Sequence, residues 1–357
     1  MAYTPIDNSA EHFKAVKYTG NSTEPRNIDV GFQSDFVWVK DGTIAYYPRI
    51  FDSNRVGAGP LYPSEDKAED HHNDGPEIDF SSPYSNGFKI IDNPDGTTNS
   101  YGVNQNSSEM ISWNWKANGG TTSSNTSGNI TSTVQANTDA GFSIVTYTGN
   151  GNDGATVGHG LGVAPSMVIF KCRDTGNTDW RVYHRTISPT NAITLSGDGN
   201  KYGASSVFTS TFTSTTLNLE NDAGGVNKSG SPMIAYCFAP KQGFSRFGFH
   251  RGNGSTNGPF VYTGFKPAFL MFKQTTGNGN AWFMFDNARS TFNGVMPYLR
   301  ANGTDTNASG DLLRFMSNGY KLLHNDSAFN GDNHDYLYMA FAENPFVTSG
   351  GAPTTAR

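Results

Sequence analysis

Short apolar runs, separated by turns rich in Gly, Asn, Ser, Thr and Asp, follow one another along the whole sequence. No stretch shows the i, i+3, i+4, i+7 spacing of apolar residues that predicts a long amphipathic helix. Short runs between turn residues are typical of β-strands joined by many loops. The pattern therefore predicts a nearly all-β protein.

Three blocks of nine residues align without gaps, and each consists of an apolar residue, a turn, four apolar residues and a lysine. The blocks are FQSDFVWVK at residues 32–40, VAPSMVIFK at 163–171 and FKPAFLMFK at 265–273. A Gly-Asn pair precedes each block, at residues 20–21, 149–150 and 252–253. The same order of elements three times predicts three tandem copies of one module of roughly 100 residues.

Each copy closes with a strand that has two different faces. When Trp115, Phe238 and Phe341 are placed in register, one face carries the large apolar side chains of every copy: Ile111, Trp113, Ile234, Tyr236, Leu337 and Met339. The other face is smaller and more polar, so we expect one side of this strand to lie in a core. The lysine-ended blocks instead have four consecutive apolar residues, which predicts a central strand buried on both faces.

These landmarks divide the chain into six segments: an N-terminal arm (1–12), a first β-sandwich repeat (13–117), a linker (118–141), a second repeat (142–243), a third repeat (244–346) and a flexible tail (347–357). The linker is predicted from its Gly, Ser, Thr and Asn content, which buries little apolar area. Only a few residues join the second repeat to the third, so we expect those two to pack against each other. The predicted fold is three tandem sandwiches of jelly-roll or lectin-like type.

Composition and charge exclude several classes of protein. The net charge is −6 and the basic residues form no stripe, which argues against a nucleic-acid partner. The longest apolar runs are about five residues, far too short for membrane insertion, and the N-terminus lacks the apolar core of a signal peptide. Cys172 and Cys237 lie in apolar strands, so we expect packed, reduced thiols and folding in a cytoplasm.

The repeat elements resemble an uncharacterised module of tail-fibre-like and other virion proteins from bacteriophages of aquatic bacteria, including marine cyanophages. The elements are YTGN at residues 18–21 and 147–150, GFKPAFLMFK at 264–273 and YMAFAENPF at 338–346. The resemblance covers about residues 13–346 and is weakest in the first repeat, where Ser34 replaces Pro165 and Pro267. It implies a virion location, on the tail or capsid surface, after assembly in the host cytoplasm. It carries over no catalytic residue.

The densest polar cluster lies in an insert of the first repeat, residues 60–83. Carboxylates and imidazoles at this density are ligands for a divalent cation, calcium above all, but their spacing matches neither an EF-hand nor a His-x-x-x-His zinc site. We interpret the insert as a solvated acidic loop. Its weak metal-ligand candidates are Asp70, His71, His72 and Asp74, and no cofactor is predicted.

The five tryptophans are a possible platform for sugar rings, which stack on exposed aromatic faces. Sister repeats carry core residues at the matching strand positions, so we interpret all five tryptophans as structural. Asp52, Asp286 and Glu343 lie near strand ends, but the sequence does not pair any two of them across a cleft as a glycosidase needs. No Gly-x-Ser-x-Gly nucleophile elbow occurs, and we predict a protein without enzymatic activity.

The leading hypothesis is a tail-fibre or host-adhesion protein that binds a cell-surface glycan or protein through exposed loops. A homo-oligomer, with a trimer favoured, would add avidity to weak sites. The alternative is a structural virion protein, a capsid decoration or tail component, that contacts other virion proteins and has no host ligand. A polysaccharide depolymerase is a third, less favoured hypothesis.

Overall fold

The computed structural model describes residues 3–70, 72, 77–91, 102–187, 191–203, 207–208, 210–221, 225–290 and 294–354. Regular structure in these ranges is almost entirely antiparallel β-strand, as the apolar pattern predicts. The helices found there are a 3-10 turn at Ser9–Glu11 and a short helix α1 at Ser327–Asn330. Neither has the length or apolar character needed to cross a membrane.

The names first, second and third repeat are kept below for the segments predicted as repeats, residues 13–117, 142–243 and 244–346. The described part of the first segment forms a large and a small sheet. Its strands are β1 (Phe13–Thr19), β2 (Arg26–Asp29), β3 (Phe36–Asp41), β4 (Arg49–Asp52), β5 (Gly87–Ile90) and β6 (Glu109–Trp115). The large sheet has the order β1-β6-β3-β4, and β2 pairs with β5 in the small sheet.

The second repeat contributes to a wider sheet. Its strands are β9 (Phe142–Thr148), β10 (Ala155–Gly158), β11 (Met167–Cys172), β12 (Arg181–His184), β13 (Asn191–Thr194), β14 (Tyr202–Gly203), β15 (Thr216–Leu219) and β16 (Pro232–Phe238). Two strands precede them, β7 (Ser123–Asn125) and β8 (Ser132–Asn137). The large sheet has the order β14-β13-β12-β11-β16-β9-β8-β7, and β10 pairs with β15 in the small sheet.

The third repeat again forms two sheets. Its strands are β17 (Ser245–Arg251), β18 (Phe260–Tyr262), β19 (Phe265–Gln274), β20 (Phe283–Asp286), β21 (Met296–Arg300), β22 (Ala308–Gly310), β23 (Leu313–Met316), β24 (Gly319–Leu322) and β25 (Asp335–Pro345). The large sheet has the order β17-β25-β19-β20-β21-β22, and the small sheet has the order β18-β24-β23.

One arrangement recurs in the three large sheets. The opening strand of each repeat pairs with the closing strand, which pairs with the lysine-ended strand, which pairs with the next strand. These series are β1-β6-β3-β4, β9-β16-β11-β12 and β17-β25-β19-β20. Every residue of β3 and of β11 is buried, which confirms the prediction that the lysine-ended blocks are buried on both faces.

Hydrophobic cores lie on both faces of the large sheets. An outer core separates each large sheet from its small sheet, and it joins, for example, Val37 to Phe88 and Phe272 to Leu322. The opposite faces of the three large sheets meet in one central core, which contains all five tryptophans. The tryptophans are therefore structural, as predicted.

The closing strands differ from the prediction in one respect. Their large apolar side chains do lie together in the central core. Their smaller faces are buried as well, because the outer cores cover them: Ser112 and Asn114 are inaccessible, and Cys237 lies in the core of the second repeat. A closing strand therefore has a core on each side, where the alternation predicted a core on one side alone.

Residues 118–141, interpreted from composition as a linker or exposed loop, contain β7 and β8. These strands extend the large sheet of the second repeat beyond β9. Val134 and Gln135 are buried there. Composition misses this because an added strand is held by backbone hydrogen bonds to a sheet edge, which do not require apolar side chains.

Both ends of the described chain contact the folded repeats or each other. Ile6 is buried in the central core, and the Thr4 hydroxyl donates to the Gln242 carbonyl over 2.8 Å. The Ser349 amide donates to the Asp7 carboxylate over 2.6 Å. The segments predicted as an arm and a loose tail are therefore folded back on the protein as far as Thr354.

Candidate functional site

The three repeats contact one another in cyclic order. The Trp113 indole N–H of the first repeat donates to Asp286 of the third over 3.1 Å. The Tyr236 hydroxyl of the second repeat donates to Asp52 of the first over 2.7 Å. We name the three contact regions seam 1–3, seam 1–2 and seam 2–3 after the repeats that they join.

Seam 2–3 uses the same positions with different chemistry. His184 stands where the other repeats have Asp52 and Asp286, and its Nε2 lies 3.3 Å from the carbonyl oxygen of Tyr338 in the third repeat. Burial lowers the pKa of His184 to about 4, so the ring is neutral and donates this hydrogen bond at neutral pH.

The lysine that ends each nine-residue block lies at a seam. Lys40 donates to the Gly303 carbonyl of the third repeat, and Lys273 donates to the Gly197 carbonyl of the second over 3.1 Å. Lys171 donates within its own repeat, to the Thr178 carbonyl over 2.5 Å. Burial lowers the pKa of all three ammonium groups to about 8, while acidic groups of the neighbouring repeat act to raise it: Asp305, Asp66 and Asp198.

Seam 1–2 is closed by the segment that follows β6. Asp35 accepts hydrogen bonds from the amides of Ala117 (2.7 Å), Gly119 and Gly120 (both 2.9 Å). Burial raises the pKa of this carboxyl, and the same hydrogen bonds act to lower it. The Gln135 amide of β8 completes the closure by donating to Ser53 over 2.9 Å.

The acidic insert, residues 60–83, also packs against the second repeat. The Trp180 indole N–H donates to the Tyr62 carbonyl over 2.9 Å. Glu69 forms ion pairs with Arg55 (3.0 Å) and with Arg173 of the second repeat (2.6 Å). Where it is described, the insert is therefore an internal contact between two repeats as well as a surface loop.

The weak metal candidates do not form a described metal site. The backbone amide of Asp70 donates to the Pro60 carbonyl over 2.9 Å. The His72 ring lies 2.9 Å from a Glu65 carboxylate oxygen and stacks on Tyr47. His71 and Asp74 lie outside the described residues. The described residues contain no group of three or more His, Cys, Asp or Glu side chains that is arranged to hold a metal ion.

The carboxylates near strand ends are each paired with a cation. Asp52 lies 2.7 Å from Arg55, Asp286 lies 2.6 Å from Arg289, and Glu343 lies 3.0 Å from Lys266. The side chains of the first two pairs are almost completely buried. A glycosidase needs an acid and a second carboxylate on opposite sides of a cleft, and these contacts place a cation beside each carboxylate instead.

Both cysteines are free and buried, as predicted from the strands that contain them. Burial raises the pKa of the Cys237 thiol well above its ordinary value. A neutral, inaccessible thiol is a poor nucleophile, so this residue contributes to packing.

Seam 2–3 contains an open groove of about 510 Å³. Three cationic side chains line it: Arg185, Lys241 and Arg246. Its described lining contains no carboxylate, and no described acidic residue forms an ion pair with these cations. In a chain of net charge −6 this groove is a local concentration of positive charge.

Aromatic side chains border the same groove. The Arg246 guanidinium carbon lies 5.7 Å from the centre of the Tyr262 ring, and the Tyr3 hydroxyl donates to the Gly264 carbonyl over 2.7 Å. Tyr262 is 47% exposed, and two further aromatic residues nearby in sequence are also exposed, Phe249 (61%) and Phe260 (46%). Sequence reasoning tested the tryptophans as a sugar platform and missed these three residues.

Seam 1–3 contains a second groove, of about 390 Å³, at the corresponding position. Asn287 and Lys14 stand there where seam 2–3 has Arg185 and Arg246. Much of its lining consists of small apolar side chains: Ala10, Ala15, Ala268, Ala288 and Ala342. The two grooves therefore share a place in the fold and differ in chemistry.

A buried asparagine in each repeat was also missed. The side-chain carbonyls of Asn104, Asn227 and Asn330 accept the backbone amides of the three Gly-Asn turns, over 3.1, 2.9 and 2.9 Å. A Cβ atom at the glycine of any of these turns would lie within about 2.2 Å of a backbone oxygen. This clash explains why the first residue of each Gly-Asn pair is a glycine. The Gly-Val-Asn sequence that occurs at both 102–104 and 225–227 could have indicated Asn104 and Asn227 as matched positions.

The chain belongs to the DUF7483 family, which is described as a domain of unknown function and matches residues 8–345. The match spans nearly all of the three segments predicted as repeats, and the segment between the first two. None of the curated proteins compared with the chain matches it.

Proposed function

We propose that this protein is a non-enzymatic bacteriophage virion protein that acts in host adhesion, as a tail fibre or adhesion protein. We propose that it binds acidic cell-surface glycans in the groove of seam 2–3. The observation that supports this most directly is the cationic lining of that groove beside the half-exposed ring of Tyr262.

The chemistry of the groove fits an acidic sugar. Arginine donates paired hydrogen bonds to carboxylate or sulfate groups, and Arg185 and Arg246 stand on opposite repeats. The half-exposed ring of Tyr262 offers a flat face on which a sugar can stack. Because no described carboxylate lines the groove, an anionic ligand meets no like charge there.

The proposed scaffold is three tandem β-sandwich modules of jelly-roll or lectin-like type. The recurrent strand order and the three outer cores support this proposal. A rigid scaffold of this kind suits adhesion, because the strands are committed to cores while seams and loops remain free to vary. The homo-oligomer, with a trimer favoured, stays a prediction.

Binding of polyuronate oligosaccharides to the purified chain, measured by calorimetry with neutral dextran oligosaccharides as the comparison, tests this function. We expect polyuronate binding that weakens steeply as salt is raised, and at least about tenfold weaker binding in Arg185→Ala and Arg246→Ala. Arg314→Ala is the matched control, because that arginine pairs with Asp311 away from the groove. Equal affinity for both sugars, or unchanged affinity in the two groove variants, would refute the proposal.

A second candidate function is a structural role in the virion, as a capsid decoration or tail component. The apolar part of the seam 1–3 groove lining favours it, because an apolar side chain of a neighbouring protein would be removed from water there. Antibody labelling of intact virions separates the two candidates: label at tail extremities supports adhesion, and label on the capsid shell or tail body supports assembly. A depolymerase gains no support from the cation-paired carboxylates.

A further inference from the structure

The opening strand of each repeat lies at or near one edge of its large sheet, and the three opening strands differ in whether a further strand pairs with their outer side. β9 opens the second repeat, and its outer edge is paired with β8 along six residues. β1 and β17 open the other two repeats and stand at the edges of their sheets. In the part of the chain that the structure describes, no strand pairs with the outer edge of β1 or of β17.

The strand β8 shows how such an edge is occupied. Gln135 of β8 lies opposite Ile144 of β9 and is fully buried, with its side chain directed to Ser53 across seam 1–2. The pairing registers place Ala15 of β1 where β9 has Ile144. The 390 Å³ groove of seam 1–3 lies beside Ala15 and Asn287, which is the position that corresponds to the Gln135 side chain.

We propose that the outer edge of β1 binds an extended segment of another protein as an additional antiparallel strand. The residue opposite Ala15 is apolar and fills the seam 1–3 groove. The residue opposite Lys14 carries a carboxylate, because Lys14 is exposed at this edge. Strand addition of this kind obtains affinity from backbone hydrogen bonds and specificity from alternate side chains.

Charge argues for a different protein over a second copy of this chain. Lys14 and Lys17 lie on β1, and Arg246 and Arg251 lie on β17. Pairing two such edges would place cations opposite or next to cations, which destabilises antiparallel pairs. An acidic strand from another protein meets the opposite charge, so the β1 edge would attach this chain to a neighbour; that the neighbour is a virion protein rests on the proposed function.

A peptide copied from β8 makes the register testable. Ala136 lies opposite Ser143, which corresponds to Lys14, and Gln135 lies opposite the position of Ala15. The probe is therefore a fluorescent peptide of residues 130–138 that carries Gln135→Leu and Ala136→Glu. The control peptide has the two new residues exchanged, Gln135→Glu and Ala136→Leu, so its composition is the same and its faces are reversed.

Anisotropy titration with the full chain, together with hydrogen exchange, reports both affinity and location. We expect the probe to bind and to slow exchange of the 13–19 amides, while the exchanged-face peptide does neither at the same concentration. Lys14→Glu should weaken probe binding about fivefold, and a peptide with Ala136→Lys should restore it. Ala15→Trp should abolish binding by filling the groove. Val163→Glu, at an exposed site in the second repeat, is the variant control.

Three results would overturn the inference. They are the absence of slowed exchange in 13–19 at millimolar probe, equal binding of the two peptides, and undiminished binding in Lys14→Glu. Slowed hydrogen exchange confined to residues 245–251 is one form of the first result, and it would reject the assignment of the binding edge to β1. The adhesion proposal is independent of these outcomes, because its sugar titration uses the other groove.

Discussion

The rings of Trp115 and Phe238 lie 6.2 Å apart, centre to centre, although the residues come from different repeats. Phe341 of the third repeat completes the contact, 5.4 Å from Trp115 and 6.1 Å from Phe238. All three occupy the matched position of a closing strand. The central core is therefore shared, and no repeat keeps its full core when it is separated from the other two.

Replacing Trp115 by alanine should destabilise all three repeats together. The indole is fully buried, so its removal should lower the free energy of unfolding by about 3–5 kcal/mol. Urea denaturation followed by tryptophan fluorescence and by circular dichroism measures this loss. Phe249→Ala is the control, because that ring is mostly exposed and should change stability by less than about 0.5 kcal/mol. Separate transitions for different repeats would contradict the shared core.

Replacing Asp35 by alanine should release the segment that closes seam 1–2. The amides of Ala117 and Gly119 lose their acceptor on the buried Asp35 carboxylate, while Gly120 keeps its hydrogen bond to Gln135, so the free energy of unfolding should fall by about 1–3 kcal/mol. Hydrogen exchange should become faster in β7 and β8 before it does so in β11. Asp332→Ala, at an exposed site, serves as the comparison. If hydrogen exchange in β7 and β8 stayed unchanged, the pairing of β8 with β9 would be sufficient to hold this segment in place, and the prediction would be wrong.

Lys273 should make the protein more stable as pH rises above 8. Burial lowers its pKa from 10.5 to about 8 in the folded chain, so the unfolded chain binds more protons between these values. The free energy of unfolding therefore increases with pH in this window, by at most about 3 kcal/mol for this group. Comparing the wild type with Lys273→Met by urea denaturation from pH 7.5 to 9.5 isolates the effect.

The Lys273→Met variant should have a shallower slope than the wild type. Lys67→Met, at a side chain that is 37% exposed, should leave the slope unchanged. Measurement stays below pH 10 because burial raises the pKa of Tyr236 and other buried phenols, which lowers stability at higher pH. Parallel slopes for Lys273→Met and the wild type would refute the prediction.

His184 should act in the same direction as Lys273 but in a lower pH range, so that the protein loses stability in acid. Its pKa is about 4 in the folded chain against 6.5 for the free group, so the unfolded chain binds more protons between pH 4 and 6.5. Stability due to this group is complete above pH 6.5 and falls by up to about 3 kcal/mol towards pH 4. His184→Gln keeps a donor for the Tyr338 carbonyl and should reduce the acid sensitivity measured by urea denaturation at pH 4.5, 5.5 and 7.

The strand order common to the three large sheets was predictable, because side-chain alternation and local order encode it. The register of Trp115, Phe238 and Phe341 and the double burial of the lysine-ended strands both follow from the order of apolar residues. The shared core was not predictable in the same way. Each copy presents a second buried face, but the pattern does not say whether a small sheet or another repeat covers it.

The candidate groove was hidden for a related reason. Arg185, Lys241 and Arg246 are separated in sequence and become neighbours only when two repeats pack together. The addition of β8 to β9 was missed because backbone pairing, not side-chain character, holds that strand. Local patterns predict strands and faces, and the contacts between repeats decide where those faces meet.

The cyclic contact of three repeats within one chain has a consequence for binding stoichiometry. If three identical subunits formed this arrangement, one amino-acid substitution would occur in every subunit. All three seams would then remain alike. In this single chain each seam is encoded separately: one is sealed by Asp35 and β8, one is cationic, and one is lined with alanine. Among the described residues each of these two seam grooves occurs once, so a ligand of either groove should bind at one per chain.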